Sequence, residues 1–165
     1  MNAAAIRRAL FLDRDGTLIA DVGYPKDSKD VRLIAECIPV LREAIARGFA
    51  LVIITNQSGV GRGFFDEATA RLVQARAEEL FAAEGIRFDG VYYCFHGPDD
   101  DCACRKPKPA LLLEAARDLD LDLMRSLMIG DKPSDLEAGR AAGCEALHAS
   151  WPDVLAWLER AGFSP

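Results

Sequence analysis

The chain is short of several features that would settle its class at once. No apolar run among its 165 residues approaches the roughly 18–20 needed to span a bilayer. The N-terminal stretch Met1 to Arg8 has charges but no apolar core behind them, so it does not read as a secretory signal. Basic residues are scattered rather than blocked, and the formal net charge is −6, so no nucleic-acid-binding face is indicated. There is no internal repeat, no linker and no low-complexity segment. The five cysteines are odd in number and unevenly spaced, which argues against a disulfide framework. These absences leave a cytoplasmic protein of one domain, 1–165, with half its residues hydrophobic and a sizeable core. No exposed apolar stripe remains once a core is assigned, so a monomer is expected.

What is present alternates between short apolar runs and amphipathic stretches. Ala9 to Leu12, Leu51 to Ile54, Val91 to Tyr93, Ser126 to Ile129 and Ala146 to His148 read as strands. Runs this apolar fit a parallel sheet covered on both faces. Pro39 suits a first helical turn that closes at Gly48, and Asp66 suits the cap of a helix ending at Gly85. That second helix presents Ala68, Leu72, Val73, Ala77, Leu80 and Phe81 as its inward stripe. Pro109 opens a third helix. Ser134 to Glu137 has capping-box form before a helix closed by Gly143, and Trp151 to Arg160 makes a last one through Trp151, Val154, Leu155 and Leu158. The fold class is therefore α/β: a doubly wound, Rossmann-like parallel sheet with helices on both faces and no large cap domain. Gly16 to Cys37 is the one long irregular stretch. Cys37, Cys144 and His148 are read as structural.

In such a sheet, ligands bind beyond the carboxyl ends of the strands. The polar residues following each strand then share one edge. Asp13 and Asp15 follow the first, Thr55 to Gly59 the second, Arg105 and Lys106 the third, and Asp131 and Lys132 the fourth. Asp13 and Asp15 repel each other, and a divalent cation is the simplest counter-charge, with Asp131 as a further ligand. A calcium loop of EF-hand type fails, because a strand precedes Asp13 and the twelfth position is Tyr24. With Mg²⁺ offsetting the charge, Asp13 can attack phosphorus. Thr55 and Lys106 can stabilise the equatorial oxygens, and Asp15 can serve as general acid and base.

Asp13-Arg14-Asp15-Gly16-Thr17, Thr55, Lys106 and Gly130-Asp131 resemble, in order, the four motifs of the haloacid dehalogenase-like phosphatases. The resemblance implies a phosphoric monoester hydrolase. A phospho-accepting receiver domain is the alternative from another class, but Tyr93-Cys94 stands where its phosphorylated aspartate would be.

Cys94-x-His96 and Cys102-x-Cys104 make a closed Cys₃His set, the donor type of structural zinc, in a loop spanning 94–104. Such a loop in a capless chain of this family resembles two groups, one acting on D-glycero-D-manno-heptose 1,7-bisphosphate and one on histidinol phosphate. Asp21-Val22-Gly23-Tyr24 and Thr55-Asn56-Gln57-Ser58-Gly59 resemble the heptose group more. That resemblance implies substrate contacts from Asp21, Val22, Gly23, Tyr24, Asn56, Gln57, Ser58, Arg105 and Lys132. It implies a small phosphorylated sugar as partner and removal of the C7 phosphate. It also places the product ahead of nucleotide activation in lipopolysaccharide core or surface-glycan synthesis.

Overall fold

A computed structural model describes residues 6–163; the Met1 to Ala5 part of the N-terminal reading lies outside the described residues. β1 (Ala9–Leu12) leads through an irregular segment with a short 3₁₀ turn at Ser28–Asp30 to α1 (Cys37–Ala46). Then follow β2 (Ala50–Asn56), the single turn α2 (Ser58–Gly61), α3 (Glu67–Ala83) and β3 (Gly90–Cys94). α4 (Ala110–Asp118), β4 (Leu127–Gly130), α5 (Pro133–Ala142), β5 (Glu145–His148) and α6 (Trp151–Ala161) complete the fold. No helix among the described residues is long and apolar enough to cross a membrane.

The five strands form one sheet in the order β3-β2-β1-β4-β5, and every pairing is parallel. The chain moves outward from β1 to β3, then returns to the other side of β1 for β4 and β5. β1 and β4 therefore flank the switch point, where a crevice opens beyond the strand ends. The Asp13 amide donates to the Ile129 carbonyl at 2.9 Å, so pairing persists to the lip of that crevice.

All four β1 residues are buried, yet they serve two cores. Leu10 and Leu12 join Leu51, Ile53, Leu127 and Ile129 beneath α1, α3 and α6. Ala9 and Phe11 join Val52, Ile54 and Met128 beneath α4 and α5. Side chains alternate across a strand, so a sheet buried on both faces needs apolar residues at every position. This accounts for the uninterrupted runs. Gly48 and Gly143, at φ of 82° and 98°, take the left-handed conformation that ends α1 and α5.

α1 starts at Cys37, and Pro39 lies within its first turn as expected, where a missing N–H breaks no helical bond. Several other local expectations are corrected. In α3, Ala68 and Leu72 face outward, with Leu72 65% exposed, while Ala70 and Gln74 are buried beside Val73, Ala77 and Phe81. Hydropathy favoured Leu72 over Gln74, but the inward position meets a buried arginine and requires a polar side chain. α5 begins at Pro133 rather than Ser134, because proline is preorganised for the first helical position. Asp135, not Glu137, caps it, accepting the Lys132 N–H at 3.1 Å. In α6, Trp157 is buried and Leu155 only partly so. Asp66 does cap α3, accepting from the Thr69 amide at 2.8 Å.

α5 lies on β4 through Gly139, where an added Cβ would overlap the Met128 side chain. Gly139→Ala should destabilise the fold by about 1–3 kcal/mol through overpacking, read as a lowered midpoint in urea unfolding.

Candidate active site

Lys106 is the centre of the site. It is 3% exposed, and its Nζ donates to Asp13 Oδ1 at 2.8 Å and to the Ile54 carbonyl at 2.8 Å. It also lies 2.7 Å from Asp135 Oδ1. One side chain thus ties together the ends of β1 and β2 and the first turn of α5. Burial alone would lower the Lys106 pKa, but Asp13 and Asp135 more than offset it, so the ammonium is held above its ordinary value. Burial pushes the Asp13 carboxyl upward against the pull of Lys106, and neighbouring Asp15 and Asp131 add to the rise. Burial also raises Asp135.

Asp131 completes the acidic group. Asp13, Asp131 and Asp135 each offer an oxygen, and these oxygens lie within 4.8 Å of one another. Asp131 Oδ1 is buried and has no partner among the described residues. Gly16, at φ 83°, passes so close that a Cβ there would overlap the Asp131 carboxylate. Lys106 balances one of these three charges, which leaves an oxygen-only, net negative cluster. That donor chemistry fits a hard divalent cation such as Mg²⁺.

The structure differs here from the sequence reading at two residues. Asp135 was not singled out, because its position inside a helix cap concealed its reach to Lys106. Asp15, expected among the metal residues, has its side chain outside this carboxylate group. Arg14 Nη2 contacts both Asp15 oxygens at 3.2 and 3.1 Å, and Gln57 Nε2 donates to Oδ2 at 2.9 Å.

Thr55 is fully buried, and its Oγ1 accepts from Gln57 Nε2 at 2.8 Å. Asn56 commits both ends of its amide to the Lys106 backbone, accepting at 3.1 Å and donating at 3.3 Å. It grips the loop that carries Lys106. A cavity of about 330 Å³ opens beside Asp15, within the range of small-molecule sites. It gathers Asp21, Gly23, Tyr24, Asn56, Gln57, Ser58, Arg105 and Lys132 from the expected contacts. Val22 is not in its lining and is 52% exposed. Arg62, which sequence reasoning passed over inside a Gly-Val-Gly-Arg-Gly run, joins Arg105 and Lys132 as a third cation. Arg105 Nη1 is buried without a partner among the described residues, a donor suited to an anionic oxygen.

Cys94, His96, Cys102 and Cys104 converge. His96 Nδ1 is 3.2 Å from Cys104 Sγ and 3.5 Å from Cys94 Sγ. Cys94 Sγ is 3.7 Å from Cys102 Sγ, and all the cysteines are free thiols. Four soft donors within 4.8 Å, with no fifth side chain among the described Cys, His and acidic groups, suit a closed tetrahedral metal site. The Gln57 amide donates to the Cys94 carbonyl at 2.7 Å. Gly61 packs directly on the Gly97 backbone, leaving no room for a Cβ. The Cys/His loop and the β2–α2 loop are thereby one packed unit.

Comparison with known proteins agrees with this chemistry. A HAD-hydrolase-like family model matches residues 103–148. The D-glycero-beta-D-manno-heptose-1,7-bisphosphate 7-phosphatase of Helicobacter pylori (strain ATCC 700392 / 26695) is 44% identical over 133 residues, covering 80% of this chain and 77% of that one. A HAD-like phosphatase of Mesorhizobium loti superposes with a TM-score of 0.86 at 35% identity, covering 96% of this chain and 88% of that one. The D,D-heptose 1,7-bisphosphate phosphatase of B. bronchiseptica, solved with magnesium and phosphate, gives 0.80 at 32% identity, covering 92% and 87%. The chain belongs to this family of HAD-like phosphatases and is by class a phosphoric monoester hydrolase.

Removing one carboxylate from the Lys106 group leaves a buried ammonium short of charge. Asp135→Ala should destabilise the protein by about 3 kcal/mol, measured by urea unfolding.

Proposed function

We propose that the chain hydrolyses the C7 phosphate of D-glycero-D-manno-heptose 1,7-bisphosphate through an aspartyl-phosphate, releasing the heptose 1-phosphate. The observation that carries this reading is the adjacency of two sites. An acidic group holding a buried lysine stands beside a 330 Å³ cavity with three cationic side chains on its wall. One phosphate reacts at Asp13 while the other is met by Arg105, Arg62 and Lys132, which favours a bisphosphate over a mono-ester.

The roles follow from the chemistry. Asp13 forms the bond to phosphorus. Lys106, held charged by Asp13 and Asp135, faces the equatorial oxygens together with the Thr55 hydroxyl. Asp15 protonates the departing sugar oxygen, then takes a proton from the water that releases phosphate. Asp13 and Asp131 would hold Mg²⁺, with Asp135 close by. Bound there, the ion supplies positive charge that lets two anions meet. Cys94, His96, Cys102 and Cys104 would hold a structural Zn²⁺ that stiffens the loop presenting Arg105 and Lys106. The protein acts as a monomer in the cytoplasm on a small sugar phosphate, with no nucleic acid or membrane partner.

Specificity constants measured side by side should favour the heptose bisphosphate over histidinol phosphate by on the order of tenfold or more in Mg²⁺. Both anomers belong in that assay, because the Helicobacter relative is named for the β form. Preference for histidinol phosphate would overturn the substrate reading, and no turnover of either would overturn the reaction. Asp13→Asn should lower kcat on the order of 10³-fold or more with the fold intact by circular dichroism. Metal analysis should find one zinc per chain, and Cys102→Ser should lose it together with thermal stability.

A further inference from the structure

Arg14 is the largest side chain that is fully buried, and neither the metal cluster nor the substrate cavity uses it. It sits between the two aspartates, on a strand end where hydropathy alone would place an apolar residue. Its Nη2 holds both Asp15 oxygens, and its Nη1 lies 3.5 Å from Gln74 Oε1 on α3. Gln74 is 1% exposed and donates onward to Glu78 Oε1 at 3.0 Å. A strongly desolvated guanidinium, backed by a buried amide from another element, is an expensive arrangement unless its position matters.

We propose that Arg14 is the positioning residue of the proton-transfer step, holding the Asp15 carboxyl group in one orientation. This rests on the phosphatase reading above. Asp15 Oδ2 accepts from both Arg14 Nη2 and Gln57 Nε2, at 3.1 and 2.9 Å. Oδ1 meets only Arg14, at 3.2 Å. These contacts reach both oxygens and fix the plane of the carboxyl group. Asp15 also lines the cavity, where the leaving group would lie. In the first step Asp13 bonds to phosphorus and the phosphorus–sugar oxygen bond breaks, with a proton passing from Asp15 to that oxygen. In the second, water bonds to phosphorus and the Asp13–phosphorus bond breaks. The water proton then returns to Asp15, and both carboxyl groups are reset. Arg14 donates no proton in either step. It keeps the carboxyl plane fixed while the proton leaves and returns.

A leaving-group comparison separates this role from simple structural support. A sugar alkoxide needs a proton to depart, whereas p-nitrophenolate does not. Arg14→Met should lower kcat/KM on the sugar phosphate by roughly tenfold to a hundredfold, part of the full general-acid contribution. Its kcat/KM on p-nitrophenyl phosphate should stay within about twofold, because that ratio covers only the step in which the leaving group departs. Arg14→Lys should restore part of the loss, since an ammonium can reach one oxygen. Gln74→Leu lies away from the cavity and should show the same selectivity at a few-fold level, which keeps the test alive if Arg14→Met does not fold. Equal losses on both substrates, or no loss on either, would overturn the inference. A wild-type protein that releases phosphate from neither substrate fails the phosphatase reading instead.

Discussion

A buried ammonium is tolerated only where its charge is matched, and the active end of this molecule is organised around that demand. Lys106 Nζ satisfies its three donor directions with Asp13, Asp135 and the Ile54 carbonyl. Those partners come from the end of β1, the start of α5 and the end of β2. The long-range loop carrying Lys106 must therefore lie in one place, and the strand ends on either side of the switch point are drawn into register around it. Once Lys106 is matched, the acidic group still holds surplus negative charge, including a buried Asp131 oxygen without a partner. Surplus charge on oxygen donors is what a divalent cation relieves.

The rest of the site reads as support for that placement. Asn56 grips the Lys106 backbone from the end of β2. The Cys/His loop sits against Gly61 of α2 with no space for a side chain between them. Gln57 reaches back to both Asp15 and Thr55. Residues that look like substrate contacts in a linear motif thus spend much of their hydrogen bonding on one another. Such mutual support holds reacting groups in place before a ligand arrives, which lowers the reorganisation left for the transition state.

Much of the fold was legible in the chain. The central strands β1, β2 and β4 are the most legible, because strands buried on both faces require apolar runs. The strand-end motifs were found because each combines an apolar run with a polar residue that a turn would not otherwise need. Helix faces were less legible. Leu72 is exposed and Gln74 buried in α3, a choice made by Arg14 rather than by hydropathy. Trp157 and Leu155 of α6 were likewise ranked by local pattern, which does not know the partner surface.

The linear order of residues was enough to determine the parallel α/β architecture and to single out the two aspartates, Thr55, Lys106, Asp131 and the Cys/His set as candidates. Period, turn chemistry and donor type are local properties, readable over a few residues. Tertiary structure alone decided that Asp135 shares Lys106 with Asp13, that Asp15 belongs to Arg14 and Gln57, and that Arg62 faces the cavity. Those assignments depend on contacts between residues up to 93 positions apart, or on which face of a turn a side chain leaves. The electrostatic field that pairs them exists only once the chain has folded and excluded water.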